Sequence, residues 1–226
     1  MDPVRNQVID ELHKTARRRF PRRKVQIRGI NDLFQADFVD LRNLASSNRG
    51  YKYILFVINA FSKYAWAEPL KTKGGSEVTQ AMSRILNRTT APRNLQVDAG
   101  KEFYNESFRA LMKKYDINMY STYSVLKASL VERLNRTIKA AIFKNFTIAG
   151  NQNWIKNLQK IVDKYNDTIH SSIRMKPNRV TPSDENRLLN TVYLETKSVG
   201  RSKFNIGEKV RISKYKNLFE KGYTPN

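Results

Sequence analysis

The stretch that most limits what this chain can become is Tyr53-Ile-Leu-Phe-Val-Ile-Asn59. It is apolar or aromatic almost throughout, with β-branched residues among them, which suits a strand buried on both faces. Such a strand must lie inside a sheet with a covering layer on each side. The flanking sequence supplies partners. Leu33–Leu41 reads as a first strand, Asn48-Arg-Gly50 as a turn, and Ala65-Trp-Ala-Glu-Pro69 as a third strand ended by Pro69. These three predict an antiparallel meander.

The covering layers come next. Gly74-Gly75 punctuates, and Ser76 is the expected N-cap of a helix to about Arg88, with Val78, Met82, Ile85 and Leu86 on one face. Leu95-Gln-Val97 is a short strand with Asp98 at its end, and Ala99-Gly100 turns the chain. A helix over Asn105–Tyr115 and a fifth strand over Ile117–Tyr120 follow. After a loop from Ser121 to Ala128, Val131, Leu134, Ile138 and Ile142 fall at helical spacing and predict an apolar stripe. A further helix is expected over Asn153–Thr168, and Thr181-Pro-Ser-Asp184 reads as a capping box opening a short helix to Leu189. Strands joined through helices run parallel by right-handed crossovers. The predicted fold class is therefore α/β, a mixed five-stranded sheet flanked by helices.

Charge decides the partner. Lys plus Arg number 42 against 20 Asp plus Glu, a formal net charge of +22. So large an excess implies a polyanion, most often nucleic acid. Ala16-Arg-Arg-Arg-Phe-Pro-Arg-Arg-Lys24 packs six cations into nine residues around Pro21. It suits an extended arm and a nuclear-localisation patch, so a nuclear, intracellular protein is expected. No apolar run of membrane-spanning length occurs, and no membrane partner is expected. The chain has no cysteine and two histidines, which excludes disulfides and leaves too few ligands for a structural zinc site. The expected organisation is a basic N-terminal arm at 1–31, a core at 32–189, a linker at 190–203, and a truncated small β-barrel segment at 204–226 beginning with the Phe204–Ile212 hairpin pattern.

Against this basic background three acidic residues stand out. Asp37 lies on the first strand, Asp98 ends the fourth, and Glu132 opens the helix after the fifth. If strands one and four are neighbours, these carboxylates can approach, and three of them repel unless a divalent cation neutralises them. All-oxygen ligation favours Mg²⁺ or Mn²⁺. Two such ions can activate an attacking oxygen and stabilise a leaving one at a phosphodiester. The plainer alternative makes Asp98 a turn residue, Asp37 a strand-edge charge and Glu132 a surface residue paired with Arg136. Asp40 should point to the opposite strand face from Asp37, Glu102 should cap or pair with a cation, and His170 with Asn166 should be structural.

Phe34-Gln-Ala-Asp-Phe-Val-Asp-Leu41, Gln96-Val-Asp-Ala-Gly-Lys-Glu-Phe103 and Lys127-Ala-Ser-Leu-Val-Glu-Arg-Leu-Asn-Arg-Thr-Ile-Lys139 resemble the three acidic motifs of the retroviral-type integrase catalytic core. The resemblance looks closest to Maverick/Polinton transposon integrases, and Tyr165–Ile173 and Lys176-Pro177 are similar to the family's downstream segment. It implies a ribonuclease-H-like fold and polynucleotidyl transfer, with Asp37, Asp98 and Glu132 as the catalytic, metal-binding triad for two Mg²⁺ or Mn²⁺ ions. Asp98 and Glu132 lie 34 residues apart, close to the usual family spacing. The resemblance also places Asn135 and Lys139 on the DNA-facing side of the helix and Lys127 in the loop that contacts the DNA end; Arg136, a cation on the same helix face, is expected to bind DNA with them. It departs from the pattern at Val97, where the family often has Thr or Ser. The implied function is 3′-end processing and strand transfer of transposon DNA into target DNA, by a homo-oligomer without a small-molecule cofactor. A domesticated, catalytically idle DNA-binding protein and a metal-dependent nuclease of the same fold remain as alternatives, because both keep the same carboxylates.

Overall fold

The computed structural model describes residues 26–121 and 129–193, together with 3, 4, 7, 207 and 208. Five strands, β1 (Leu33–Asp40), β2 (Tyr53–Asn59), β3 (Ala65–Leu70), β4 (Asn94–Val97) and β5 (Asn118–Ser121), make one sheet in the order β3-β2-β1-β4-β5. β1, β2 and β3 pair antiparallel, and β4 pairs parallel with both β1 and β5. The expected meander and parallel crossovers are both present. Strand three continues through Pro69 to Leu70. As the sheet's edge, β3 can carry a residue without a backbone N–H, so Pro69 does not end it.

The helices are α1 (Gly75–Leu86), α2 (Glu106–Lys114), α3 (Ser129–Ala149), α4 (Leu158–Asn166) and α5 (Glu185–Thr191). α1 starts after Gly74, not at Ser76, because Glu77 reaches back and accepts from the Lys71 and Thr72 amides at 2.7 and 2.8 Å. α2 is capped by Asn105, whose side chain accepts from Phe108 N. α4 is shorter than expected. Asn48 accepts from Trp154 N at 2.8 Å and Ile155 N at 3.2 Å, holding this segment outside the helix, and its Nδ2 donates to Leu44 O and Gln152 O. The Thr181–Asp184 capping box forms as expected and leads into α5.

Strand alternation separates two cores. Phe34, Ala36, Leu55 and Val57 pack with α1 and α2 residues such as Val78, Met82 and Phe108. Val39, Ile54, Phe56 and Ile58 pack with the α3 stripe Val131, Leu134, Ile138 and Ile142, each at most 1% exposed. β2 is therefore buried on both faces, as its composition requires. A third cluster joins Ile27, Leu33, Phe61, Ile173 and Leu188. One compact unit spans Gln26–Leu194. The basic arm, the 190–203 linker beyond Tyr193, the C-terminal hairpin and Lys127 lie outside the described residues or almost wholly so. Among the described residues no helix is long and apolar enough to cross a membrane.

Candidate active site

The site is set by a repeated pattern on two neighbouring strands, Gln35-Ala-Asp37 and Gln96-Val-Asp98. β1 and β4 pair in the register Gln35↔Gln96. Two positions further along, on the same side of the sheet, come Asp37 and Asp98. The glutamines are buried, 1% and 5% exposed, and Gln35 Nε2 donates to Gln96 Oε1 at 2.9 Å. Gln35 Oε1 then accepts from Leu130 N at 3.1 Å and Val131 N at 3.2 Å. These are N–H groups of the first turn of α3, which have no partner within the helix. One amide thus fixes the strand pair and the start of the helix that carries Glu132.

Asp37 lies on the α3 side of the sheet. Its Oδ1 accepts from Phe38 N at 2.7 Å and its Oδ2 from Asn135 Nδ2 at 2.8 Å. Burial raises the Asp37 carboxyl above its ordinary value; the Phe38 amide opposes the rise, while the charges of Asp98 and Glu132 add to it. Lys73 acts on the same carboxyl from the β3–α1 loop in the lowering direction. Its Nζ stands 4.9 Å from the Phe38 ring centroid and 5.2 Å from that of Tyr53. The structure therefore brings Asp98 and Glu132 each within electrostatic reach of Asp37. They do not converge into a ready cage: among the described residues no three acidic or histidine side chains are grouped to hold a metal ion. Asn135 occupies one Asp37 oxygen, and its own Oδ1 is buried without a partner.

Glu132, Arg136 and Lys139 are exposed on α3 along the stripe that includes Asn135. Asp40 is exposed on the opposite face from Asp37 and accepts from Arg42 N and Nε at 3.0 and 3.1 Å. Glu102 turns its carboxyl group onto Gly100, where an added Cβ would collide with it. Asn166 is structural: its side chain exchanges two 2.9 Å hydrogen bonds with the Ala65 backbone, pairing with the edge strand as another strand would. His170 Nδ1 lies 3.0 Å from Ser172 Oγ, and its backbone bridges to Met175. Sequence reasoning missed Gln35, Gln96 and Lys73. The Gln-x-Asp pattern, seen twice, was the available signal for the first two; nothing local marks Lys73.

Comparison with known proteins agrees with this architecture. Residues 28–122 match the family described as the integrase core domain. A transposon-derived protein of Caenorhabditis elegans is 32% identical over 177 residues, 78% of this chain and 60% of that protein. The Pol polyprotein of radiation murine leukemia virus is 28% identical over 120 residues, 52% of this chain and 21% of the polyprotein. The chain thus spans less than two thirds of these relatives. Among solved structures, the HTLV-2 integrase catalytic core in complex with magnesium superposes with TM-score 0.56 at 18% identity, covering 66% of this chain and 95% of that one. A chain of the simian T-cell lymphotropic virus intasome bound to PP2A B56γ gives TM-score 0.62 at 16% identity, covering 93% and 72%. The mixed sheet with helices on both faces is the ribonuclease-H-like fold of those integrase cores.

Proposed function

We propose that this chain is the catalytic core of a DNA integrase or transposase, related to the Maverick/Polinton type, that processes 3′ ends of transposon DNA and joins them to target DNA. The observation that carries the reading is the coupling of Asp37 to both Asp98 and Glu132. Three carboxylates held so that one resists ionisation in isolation suit a divalent cation by charge and by donor type. Asp37, Asp98 and Glu132 would hold Mg²⁺ or Mn²⁺, in a pair of ions, once Asn135 releases Asp37. Bound there, such ions activate an attacking oxygen and stabilise the leaving one. The chain's own residues do the rest. Gln35 and Gln96 keep the two strands and α3 in register. Lys73, Asn135, Arg136 and Lys139 would hold phosphodiester DNA in place near the carboxylates, and Lys127, outside the described residues, is proposed to contact DNA as well. A +22 chain steers toward that polyanion. The active form would be a homo-oligomer acting in the nucleus, where target DNA lies.

One observation favours the idle alternative: no three of these acidic side chains are grouped for an ion, and Asn135 engages Asp37. A strand-transfer assay with Mn²⁺ on short duplexes separates the readings. Joined products that vanish in Asp37→Asn, Asp98→Asn and Glu132→Gln support the integrase. Hydrolysis without joining points to a nuclease, and DNA binding without either reaction points to the idle protein.

A further inference from the structure

α3 presents a second stripe beside the one that carries Glu132. There the helix lines a cavity of about 260 Å³ between it, the β2–β3 turn and the segment after α4. Three cationic or protonatable side chains line it, Lys63, Arg133 and His170, with Thr137, Tyr165 and Thr168 adding polar groups. No carboxylate is among the described lining residues. The apolar part of the wall, Ile58 and Leu134, lowers the local dielectric and strengthens any charge interaction inside.

Lys63 is the unusual member. It is 4% exposed, although lysine is almost never fully buried unless paired. Its Nζ donates to Ala60 O and lies 5.4 Å from the Tyr193 ring centroid, neither of which supplies a full negative charge. Its backbone is left-handed at φ 63°, a conformation that costs a non-glycine residue about 1–2 kcal/mol. The turn that imposes it is closed by Asn59 N to Tyr64 O and Lys63 N to Asn59 O, both 2.9 Å. Burial, then the charge of Arg133, pulls the Lys63 ammonium down to about 8. Burial, then Lys63 and Arg133, lowers His170 as well. A strained, buried lysine set beside two more basic groups is a positive centre waiting for an anion.

We propose that this cavity is a phosphate-binding site, and that its occupant is a backbone phosphate of DNA. The cavity and Glu132 sit on adjacent stripes of one helix, so a strand engaged by Glu132 can place a nearby phosphate against Arg133 and Lys63. Naming DNA as the source rests on the function proposed above; the phosphate chemistry does not. Phosphate meets both needs of the cavity: it carries the missing negative charge and offers acceptors to Lys63 and Arg133.

The test uses the full 226-residue chain in EDTA. Thermal melts are compared in phosphate and in chloride at equal ionic strength. The variants are Arg133→Gln and His170→Gln at the cavity and Lys113→Gln, an exposed charge on α2 across the sheet, as a control. Wild type and Lys113→Gln should show a phosphate-specific rise in midpoint of a few degrees, and Arg133→Gln should lose most of it. Fluorescence anisotropy with a short labelled duplex then identifies the source. If Arg133→Gln also weakens the duplex about tenfold and lowers the log–log salt slope by about one, the phosphate is DNA's. If the phosphate response falls while duplex binding is unchanged, the DNA source is overturned and the site serves a free phosphate. An equal phosphate response in all four proteins overturns the site itself. Asp37→Asn keeps the two proposals separate, because it should abolish joining and leave the phosphate response intact.

Discussion

Two regions of this molecule face each other across the surface of one helix and obey the same rule with opposite signs. On β1, beside the end of β4, burial and the charges of Asp98 and Glu132 raise the Asp37 carboxyl. At the β2–β3 turn, burial and the charge of Arg133 lower the Lys63 ammonium to about 8. In each case a buried group is pressed toward its neutral form by burial and by like-charged neighbours. The difference is in how far each centre is prepared. Asp37 is held by two hydrogen bonds to neutral partners and its acidic neighbours do not converge, so the acidic centre must rearrange to take an ion. Lys63 already lines its cavity, from a turn in which its backbone is left-handed. The lesson is that like-charge repulsion in a folded chain is stored affinity, released when the opposite charge arrives.

The sharpest way to break the comparison is to remove one acid. Asp37→Asn, Asp98→Asn and Glu132→Gln should each reduce Mn²⁺-dependent joining on the order of 10³-fold or more, and non-additively, since groups that act as a unit fail together. Gel analysis of joined duplex products measures it. None of the three should change the phosphate-specific thermal response at the Lys63 cavity. Wild-type joining by any one variant would remove that residue from the site.

Gln35 should show what the two regions share. It holds the first turn of α3, which carries Glu132 on one stripe and Arg133 on the next. Gln35→Leu leaves Gln96 Oε1 and two helix N–H groups without their partner, a loss of about 2–4 kcal/mol. Urea denaturation reads the stability. Both the metal response and the phosphate response should weaken together, whereas every other variant here affects one. A Gln35→Leu chain as stable as wild type would show that α3 is positioned by its apolar stripe alone.

Much of this was legible before the structure. The apolar run at Tyr53–Asn59 required cover on both faces, and the α3 stripe met the core residue by residue. Asp37, Asp98 and Glu132 were singled out because the three motifs that carry them resemble those of integrase cores; in the structure Asp98 and Glu132 act on the Asp37 carboxyl, without the three grouping to hold an ion. What escaped was relational. Gln35 and Gln96 matter only because β1 and β4 pair in one register, which a single strand does not reveal. Asn48 drew notice only as a turn residue, yet its side chain decides where the segment before α4 stops being helix. Lys63 was invisible because it is one of 42 basic residues in the chain; its distinction is burial and φ, which only the fold confers.

Relieving the repulsion on either side should stabilise the empty protein. Asp98→Asn removes one charge acting on Asp37 and should raise the melting midpoint in EDTA by a few degrees. Wild type should gain about 2–3 kcal/mol from Mn²⁺ at a hundredfold excess over Kd, while the variant gains less. Lys63→Met should do the same at the cavity, raising the midpoint in chloride and abolishing the phosphate response. Melts of both variants with and without each ligand check this. If neither variant is more stable than wild type without ligand, the two centres are not under electrostatic strain.

The smallest effect is a difference in pH slope, and it assigns the strain to named groups. The folded chain releases the Lys63 proton near pH 8, whereas an unperturbed lysine releases it near 10.5. Between those values the unfolded chain binds more protons, so the Lys63 contribution to stability rises with pH. Below pH 8 wild type bears the full cost of the buried cation. Lys63→Met should therefore lead wild type by about 1–2 kcal/mol at pH 7 and lose that lead toward pH 10. The groups facing Lys63 leave this window clear. Burial and its cationic neighbours hold His170 below its ordinary value, so it is already neutral. Burial pushes the Tyr165 hydroxyl up to about 12 and raises Tyr193 as well. At the acidic centre the sign reverses. The folded chain keeps the Asp37 proton above the usual 3.8, so its contribution to stability falls as pH rises through and above that value. Replacing Asp37 with Asn should flatten that acidic-side slope and leave the alkaline one untouched. Urea unfolding of wild type, Lys63→Met and Asp37→Asn at closely spaced pH values resolves both slopes. A lead for Lys63→Met that stays constant from pH 7 to 10 would mean that Lys63 titrates as an ordinary lysine.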